Sequence, residues 1–151
     1  MVIYIGGDHR GFQLKEQIKT FLLESGWSVR DAGAKTLIPD DDYVDYAKAV
    51  SEMISADPAG ARGILVCGSG VGMDVVANKF NQVRSVLGIS PDHVIASREE
   101  DDTNILSLGA EFIDSETAKK MVSLWLQTPF SEEERYKRRL EKVRQIDNSL
   151  N

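Results

Sequence analysis

Apolar residues come along this chain in short runs that alternate with helical spacings. Residues 2–5 are continuously apolar and run into Gly6 and Gly7, a strand followed by a turn. Leu14, Ile18, Phe21 and Leu22 then fall at i, i+4, i+7 and i+8, one face of a helix, which Gly26 stops. Residues 27–30 predict a second strand, and residues 36–42 a polar loop with Pro39 and a run of three aspartates. Residues 46–54 predict a helix ending near Asp57 and Pro58. Residues 63–66 form a run without polar positions, the kind of strand buried on both faces, with a helix over 74–80 behind it. Residues 84–89 and 104–108 predict two more strands. Between them Ser90 is a sound N-cap, with Pro91 at the first helical position. Ser115 is expected to cap a helix carrying Ala118, Met121, Val122, Trp125 and Leu126 on one face, broken at Thr128 and Pro129. A last helix is expected over 132–148.

Five alternations of strand and helix call for an α/β fold, a parallel sheet with helices on both faces. In such sheets ligands bind beyond the carboxyl ends of the strands, so the loops at 6–10 and 67–72 should be neighbours in space. A chain of 151 residues suits one domain, 1–151. The net charge of −6 argues against a nucleic-acid footprint, although a basic cluster stands at 135–139, with Lys142 and Arg144 beyond. No stretch approaches the roughly 20 apolar residues of a membrane span, and residues 1–6 lack a basic leader. One cysteine makes no internal disulfide, which points to a reducing cytoplasm.

That cysteine, Cys67, sits where the third strand stops and Gly68-Ser-Gly-Val-Gly72 begins. The turn lacks the Gly-Lys-Ser/Thr ending of a P-loop and the spacing of a dinucleotide fingerprint. Taken alone it is a tight strand-to-helix turn or a cradle of backbone N–H groups for an anion, and Cys67 is a small buried residue or a proton-transfer base. After the first strand, Asp8 either caps the next helix or works in the site, and His9 and Arg10 add donors for a phosphate or hydroxyl. His93, inside a predicted helix, reads as surface. The aspartates at 40–42 lack the ligand spacing of a calcium loop, and no metal is expected there. Arg135 and Arg139 share a helix face on which two guanidiniums can grip a phosphate. Leu140, Val143 and Ile146 form a separate stripe suited to a partner subunit.

Taken in order, the segments at 7–15, 42–47, 63–73, 77–79, 104–109 and 135–139 resemble the ribose-5-phosphate isomerase type B and galactose-6-phosphate isomerase family over essentially the whole length. The resemblance implies a Rossmann-like three-layer α-β-α sandwich with a five-stranded parallel sheet and a C-terminal helical tail. The tail, 130–151, would pack on the partner subunit. It implies a homodimer with shared active sites, possibly assembled further into a tetramer. The implied reaction interconverts an aldose phosphate and a ketose phosphate through a cis-enediolate, without metal or cofactor. Ribose 5-phosphate is the first substrate; a six-carbon sugar phosphate, or binding without catalysis, is the alternative. By position, Cys67 matches the base, and Gly68, Ser69, Gly70, Val71 and Gly72 match the anion hole. Asp8 matches a contact to ring and hydroxyl oxygens, and Tyr43 a substrate contact. His9, Arg135 and Arg139 match the phosphate grip.

Four positions depart from the family pattern. Its ring-opening histidine and the following asparagine are Glu100 and Asp101 here. A phosphate-holding arginine is Glu111, and a histidine after the tail arginine is Tyr136. Glu100 then takes the acid role, or the substrate differs or is linear, or catalysis is lost.

Overall fold

The computed structural model describes residues 1–150; Asn151, the last residue of the expected tail, lies outside them. The strands are β1 (Val2–Gly7), β2 (Ser28–Asp31), β3 (Ala61–Cys67), β4 (Ser85–Leu87) and β5 (Ile105–Gly109). The helices are α1 (Phe12–Glu24), α2 (Tyr43–Ala56), α3 (Val71–Ala77), α4 (Pro91–Asp101), α5 (Ser115–Gln127) and α6 (Glu134–Leu150). All strand pairs are parallel, in the order β2-β1-β3-β5-β4.

Helices cover both faces of the sheet, and the two-residue period of β3 divides its side chains between two cores. Ile64 and Val66 join Leu14, Ile18 and Leu22 of α1, Val94 of α4, and Met121, Val122 and Trp125 of α5. Leu65 and Cys67 join Val50 and Ile54 of α2 and Met73 and Ala77 of α3. The chain proceeds outward from β1 to β2, then returns past β1 to lay down β3. The crevice between the ends of β1 and β3 is therefore the topological switch point where ligands of such sheets bind.

Strand β3 starts two residues earlier than expected and β4 is shorter than 84–89, and four helices differ from the sequence expectation, each for a local reason. Helix α2 starts at Tyr43, three residues early, because the Asp42 carboxylate accepts the Val44 N–H at 3.1 Å and caps it. The cap of α5 is Asp114, whose Oδ1 accepts the Thr117 N–H at 2.9 Å, and Ser115 is the first helical residue. Helix α3 begins at Val71 and stops at Ala77; Lys79 and Phe80 donate to Val76 and Ala77, the tighter three-residue spacing of a turn. Helix α6 begins at Glu134, since Glu132 has φ of +58°. The apolar stripe on α6 borders an open groove. Leu140 and Val143 line a groove of about 510 Å³ with Val86 and Ala96 of their own chain, and Ile146 is exposed.

Candidate active site

The end of β1 is locked to β3 before any side chain is considered: the Asp8 N–H donates to the Val66 carbonyl at 3.3 Å. Asp8 is buried, and its Oδ1 accepts the Gly11 N–H at 2.9 Å, closing the turn into α1. Asp8 thus shapes the turn without being the N-cap of α1, which is Gly11, and it sits at the switch point. His9 stands beside it and is gripped by Asp41, whose Oδ1 accepts the His9 backbone N–H and faces Nδ1, each at 2.8 Å. The Asp41 bond raises the His9 pKa above its ordinary value against the opposing effect of burial. Burial works against the Asp41 charge, but the His9 donors outweigh it and hold the carboxyl below its usual range. Burial and the same carboxylate push the Tyr46 phenol up.

Asp8, His9 and Asp41 bring ligand atoms within 4.8 Å of one another, the spacing of a cation site. Asp41 Oδ1 is already engaged by His9, however, and Asp8 Oδ1 by Gly11. The arrangement orients an imidazole: Nδ1 is committed to Asp41, and Nε2 is left to meet a ligand.

At the end of β3, Cys67 is buried, and the Gly70 N–H points at its Sγ from 3.1 Å. Gly70 has φ of +78°, a conformation that suits glycine and brings this N–H back over the sulfur. The Cys67 and Gly68 carbonyls are taken by the Ala110 and Glu111 N–H groups, at 2.9 and 3.0 Å. In a planar trans peptide the N–H points opposite to the carbonyl, so the Gly68 and Ser69 N–H groups are aimed away from β5. Ser69 Oγ accepts the Val71 N–H at 3.3 Å and closes the turn. The Tyr43 ring lies against Gly72, where a Cβ would stand 2.7 Å from its Cε2. Arg10 and Glu111 pair across the mouth, with Arg10 Nε 2.8 Å from Glu111 Oε1 and a second contact from Nη2 to Oε2.

Asp8, His9, Tyr43, Cys67, Ser69 and the turn to Gly72 therefore share the carboxyl edge of the sheet. Glu100, Asp101, Arg135 and Arg139 do not. Glu100 and Asp101 end α4, just before β5, and Arg84 at the start of β4 donates to the carbonyls of Asp101 and Asp102. Burial and the Glu100 charge raise the Asp101 carboxyl, while Arg139 pulls it down. Arg135 and Arg139 flank the buried Tyr136 ring at 4.5 and 5.7 Å, and Arg135 also pairs with Glu133. This second cluster lies at the amino edge of the sheet. The five residues of β5 put about 16 Å between the two edges. Glu100 is exposed. His93 is exposed, as expected, and lines the groove beside Glu100 and Asp101.

Sequence reasoning took the loop at 40–46 as solvated with one or two substrate contacts and gave Asp41 and Tyr46 no role of their own. The available signal was position, since a run of aspartates directly after β2 falls at the same carboxyl edge as His9.

Comparison with known proteins agrees with this architecture. The family described as Ribose/Galactose Isomerase matches residues 3–143. Ribose-5-phosphate isomerase B of Escherichia coli K12 is 36% identical over 149 residues, spanning 99% of this chain and 98% of the relative. A putative sugar phosphate isomerase of Bacillus subtilis is 35% identical over 87% of both chains. The crystal structure of Mycoplasma genitalium ribose-5-phosphate isomerase B with bound ribulose-5-phosphate superposes with a TM-score of 0.94 at 31% identity, covering 97% of this chain and 96% of that one. The Clostridium thermocellum enzyme superposes equally well, at 33% identity over the full length of both. Among the described residues no helix is long and apolar enough to cross a membrane. By sequence and fold, the chain belongs to the ribose/galactose isomerase family.

Proposed function

We propose that the protein isomerises ribose 5-phosphate and ribulose 5-phosphate through a cis-enediolate, with Cys67 as the base. The observation that carries this reading is the Cys67 sulfur at the switch point, with the Gly70 N–H aimed at it from 3.1 Å. Aldose–ketose isomerisation needs one base beside an α-hydroxy carbonyl and fixed donors for the oxyanion that forms. The Cys67 thiolate takes the proton from C2 of the open-chain aldose. The electron pair moves into a C1–C2 double bond and leaves an enediolate, whose oxygens meet the N–H groups of the Gly68–Gly72 turn and the Ser69 hydroxyl. The O2 proton passes to O1 through the Ser69 hydroxyl, the thiol returns the carbon-bound proton to C1, and the ketose carbonyl forms at C2. No cofactor is required by these steps. The ribulose-5-phosphate bound by the Mycoplasma genitalium relative supports the choice of a five-carbon substrate.

The working unit in this reading is a homodimer of single-domain chains in the cytoplasm. Residues at the amino edge reach Cys67 only from another copy. Glu100 of the partner subunit then opens the sugar ring, and the partner subunit's Arg135 and Arg139 join His9 around the phosphate.

The test is turnover of ribose 5-phosphate, with six-carbon sugar phosphates assayed alongside. Cys67→Ala should lower kcat by about 100- to 10,000-fold, the contribution of a general base, with an unchanged melting temperature. Wild-type turnover by that variant would remove Cys67 from the role, and a preference for six-carbon phosphates would move the substrate assignment.

A further inference from the structure

Arg10 is an unusual neighbour for the turn that follows Cys67. Its guanidinium lies over Gly68 so closely that a single methyl group built on that glycine would collide with it. Gly68 is buried, and the Arg10 side chain is 51% exposed, so the cation caps the turn from the solvent side. Its position is set from the far side of the crevice. Glu111, 101 residues later in the loop after β5, meets both Nε and Nη2 in a two-point pair. Asp8 and Cys67 both lie within electrostatic reach and favour the Arg10 charge, after the larger effect of Glu111. A forked cation therefore stands at the mouth of the proposed catalytic crevice, held by Glu111 on its Nε–Nη2 side, with Nη1 outside that pair as the donor a phosphate would meet.

Depth fixes which end of a substrate it would meet. Cys67 is 5% exposed and must lie beside the reacting carbons. A sugar phosphate with C1 and C2 at the sulfur extends its other end outward, toward His9 and Arg10, adjacent in the chain and both partly exposed. We propose that Arg10 is a substrate-binding residue that takes the phosphate at the mouth of this site, with Glu111 as its positioning residue. The inference rests on the sugar-phosphate reading above. It adds to that reading a cation from the same chain as Cys67, present before any partner subunit contributes.

The opposing explanation is that Arg10 and Glu111 merely staple two loops. An exchange separates the two roles. The side chains meet tip to tip, so a guanidinium carried from position 111 reaches the same place. Arg10→Ala and the milder Arg10→Gln are expected to weaken inorganic phosphate and to raise KM for ribose 5-phosphate by about 10- to 100-fold, the size of one lost charge-assisted contact. Both variants should fold, because a half-exposed ion pair contributes little to stability. The double variant Arg10→Ala with Glu111→Arg should regain most of the phosphate affinity, although it has no ion pair to staple the loops. Phosphate affinity within twofold of wild type in Arg10→Ala, or no recovery in the double variant, would overturn the proposal. Wild-type protein that binds phosphate through Arg10 yet isomerises nothing would sink the isomerase reading and leave this one standing.

Discussion

Asp41 holds His9 at two points, its Oδ1 lying 2.8 Å from both the backbone nitrogen and Nδ1 of the histidine. One bond fixes the loop and the other fixes the ring. The hydrogen bond also raises the His9 pKa from its ordinary 6.5, so the imidazole keeps its charge to higher pH. The sign follows directly. Stability from His9 is fully present below pH about 6.5 and is lost as pH rises through the raised folded value. Asp41 is depressed from 3.8, so its contribution is present above that value and is lost as pH falls through the folded one. Asp41→Asn should bring the His9 titration down and move the alkaline limit of phosphate binding to lower pH. The chain has only two histidines, so proton NMR resolves His9 against His93. An unchanged His9 titration in the variant would dissociate the pair from phosphate binding.

Lys15 is fully buried beneath the same loops, with Nζ 2.9 Å from Asp31 Oδ2, 2.8 Å from the Ala34 carbonyl and over the Phe12 ring. Replacing it with methionine fills the volume and strands the acceptors. Removing one member of a buried ion pair costs about 3–5 kcal/mol. Lys19 and the Gly33 N–H still serve Asp31, which places Lys15→Met near the lower bound. Urea denaturation should show that loss at neutral pH. It should shrink in acid, because Asp31 is held below its ordinary range and its contribution disappears as pH falls through the folded value. A loss that stays constant with pH would assign the effect to packing instead of charge.

The fold was legible because its determinants are local. Apolar runs marked β1, β3 and β5, and strand–helix alternation placed the other two strands and called for a parallel sheet. Boundaries moved where a carboxylate cap outweighed periodicity, as at Asp42 and Asp114. The Cys67 half of the site was legible for the same reason, since one continuous segment carries sulfur, turn and helix start. The Asp41–His9 and Arg10–Glu111 pairs were not, because they join residues 32 and 101 positions apart and no local pattern encodes such a meeting. Helix spacing pointed to Arg135 and Arg139 and the family resemblance supplied Glu100 and Asp101, and the geometry of one chain sets all four at the opposite edge.

In the proposed reaction the role assigned to Glu100 is confined to the ring step and takes no part in proton transfer at carbon. Ribose 5-phosphate is mostly a closed ring and must be opened, whereas ribulose 5-phosphate, with its terminal oxygen phosphorylated, is open-chain. Glu100→Gln should therefore slow turnover of ribose 5-phosphate by about 100-fold, the lower bound for a general acid. Exchange of the C1 proton of ribulose 5-phosphate into heavy water should stay near the wild-type rate. Equal losses in both assays would place Glu100 in binding or proton transfer at carbon, and no loss in either would exclude it from the site.

The separation of the two clusters makes shared sites testable without a structure of the dimer. Cys67→Ala removes the proposed base from the carboxyl edge, and Arg139→Ala removes the proposed phosphate contact from the amino edge. In a homodimer of either variant both sites are damaged. In a mixed dimer with sites built across the interface, one site combines the intact Cys67 of one chain with the intact Arg139 of the other, and the second site carries both lesions. Random assembly of equal amounts makes half the dimers mixed, each with one working site of two, so co-expressed variants should recover about one quarter of wild-type activity. Sites contained within single chains predict no recovery, because every chain then carries a damaged site whichever partner it finds. Mixing the purified homodimers without subunit exchange supplies the baseline. Recovery only after co-expression or joint refolding would tie the activity to the mixed species.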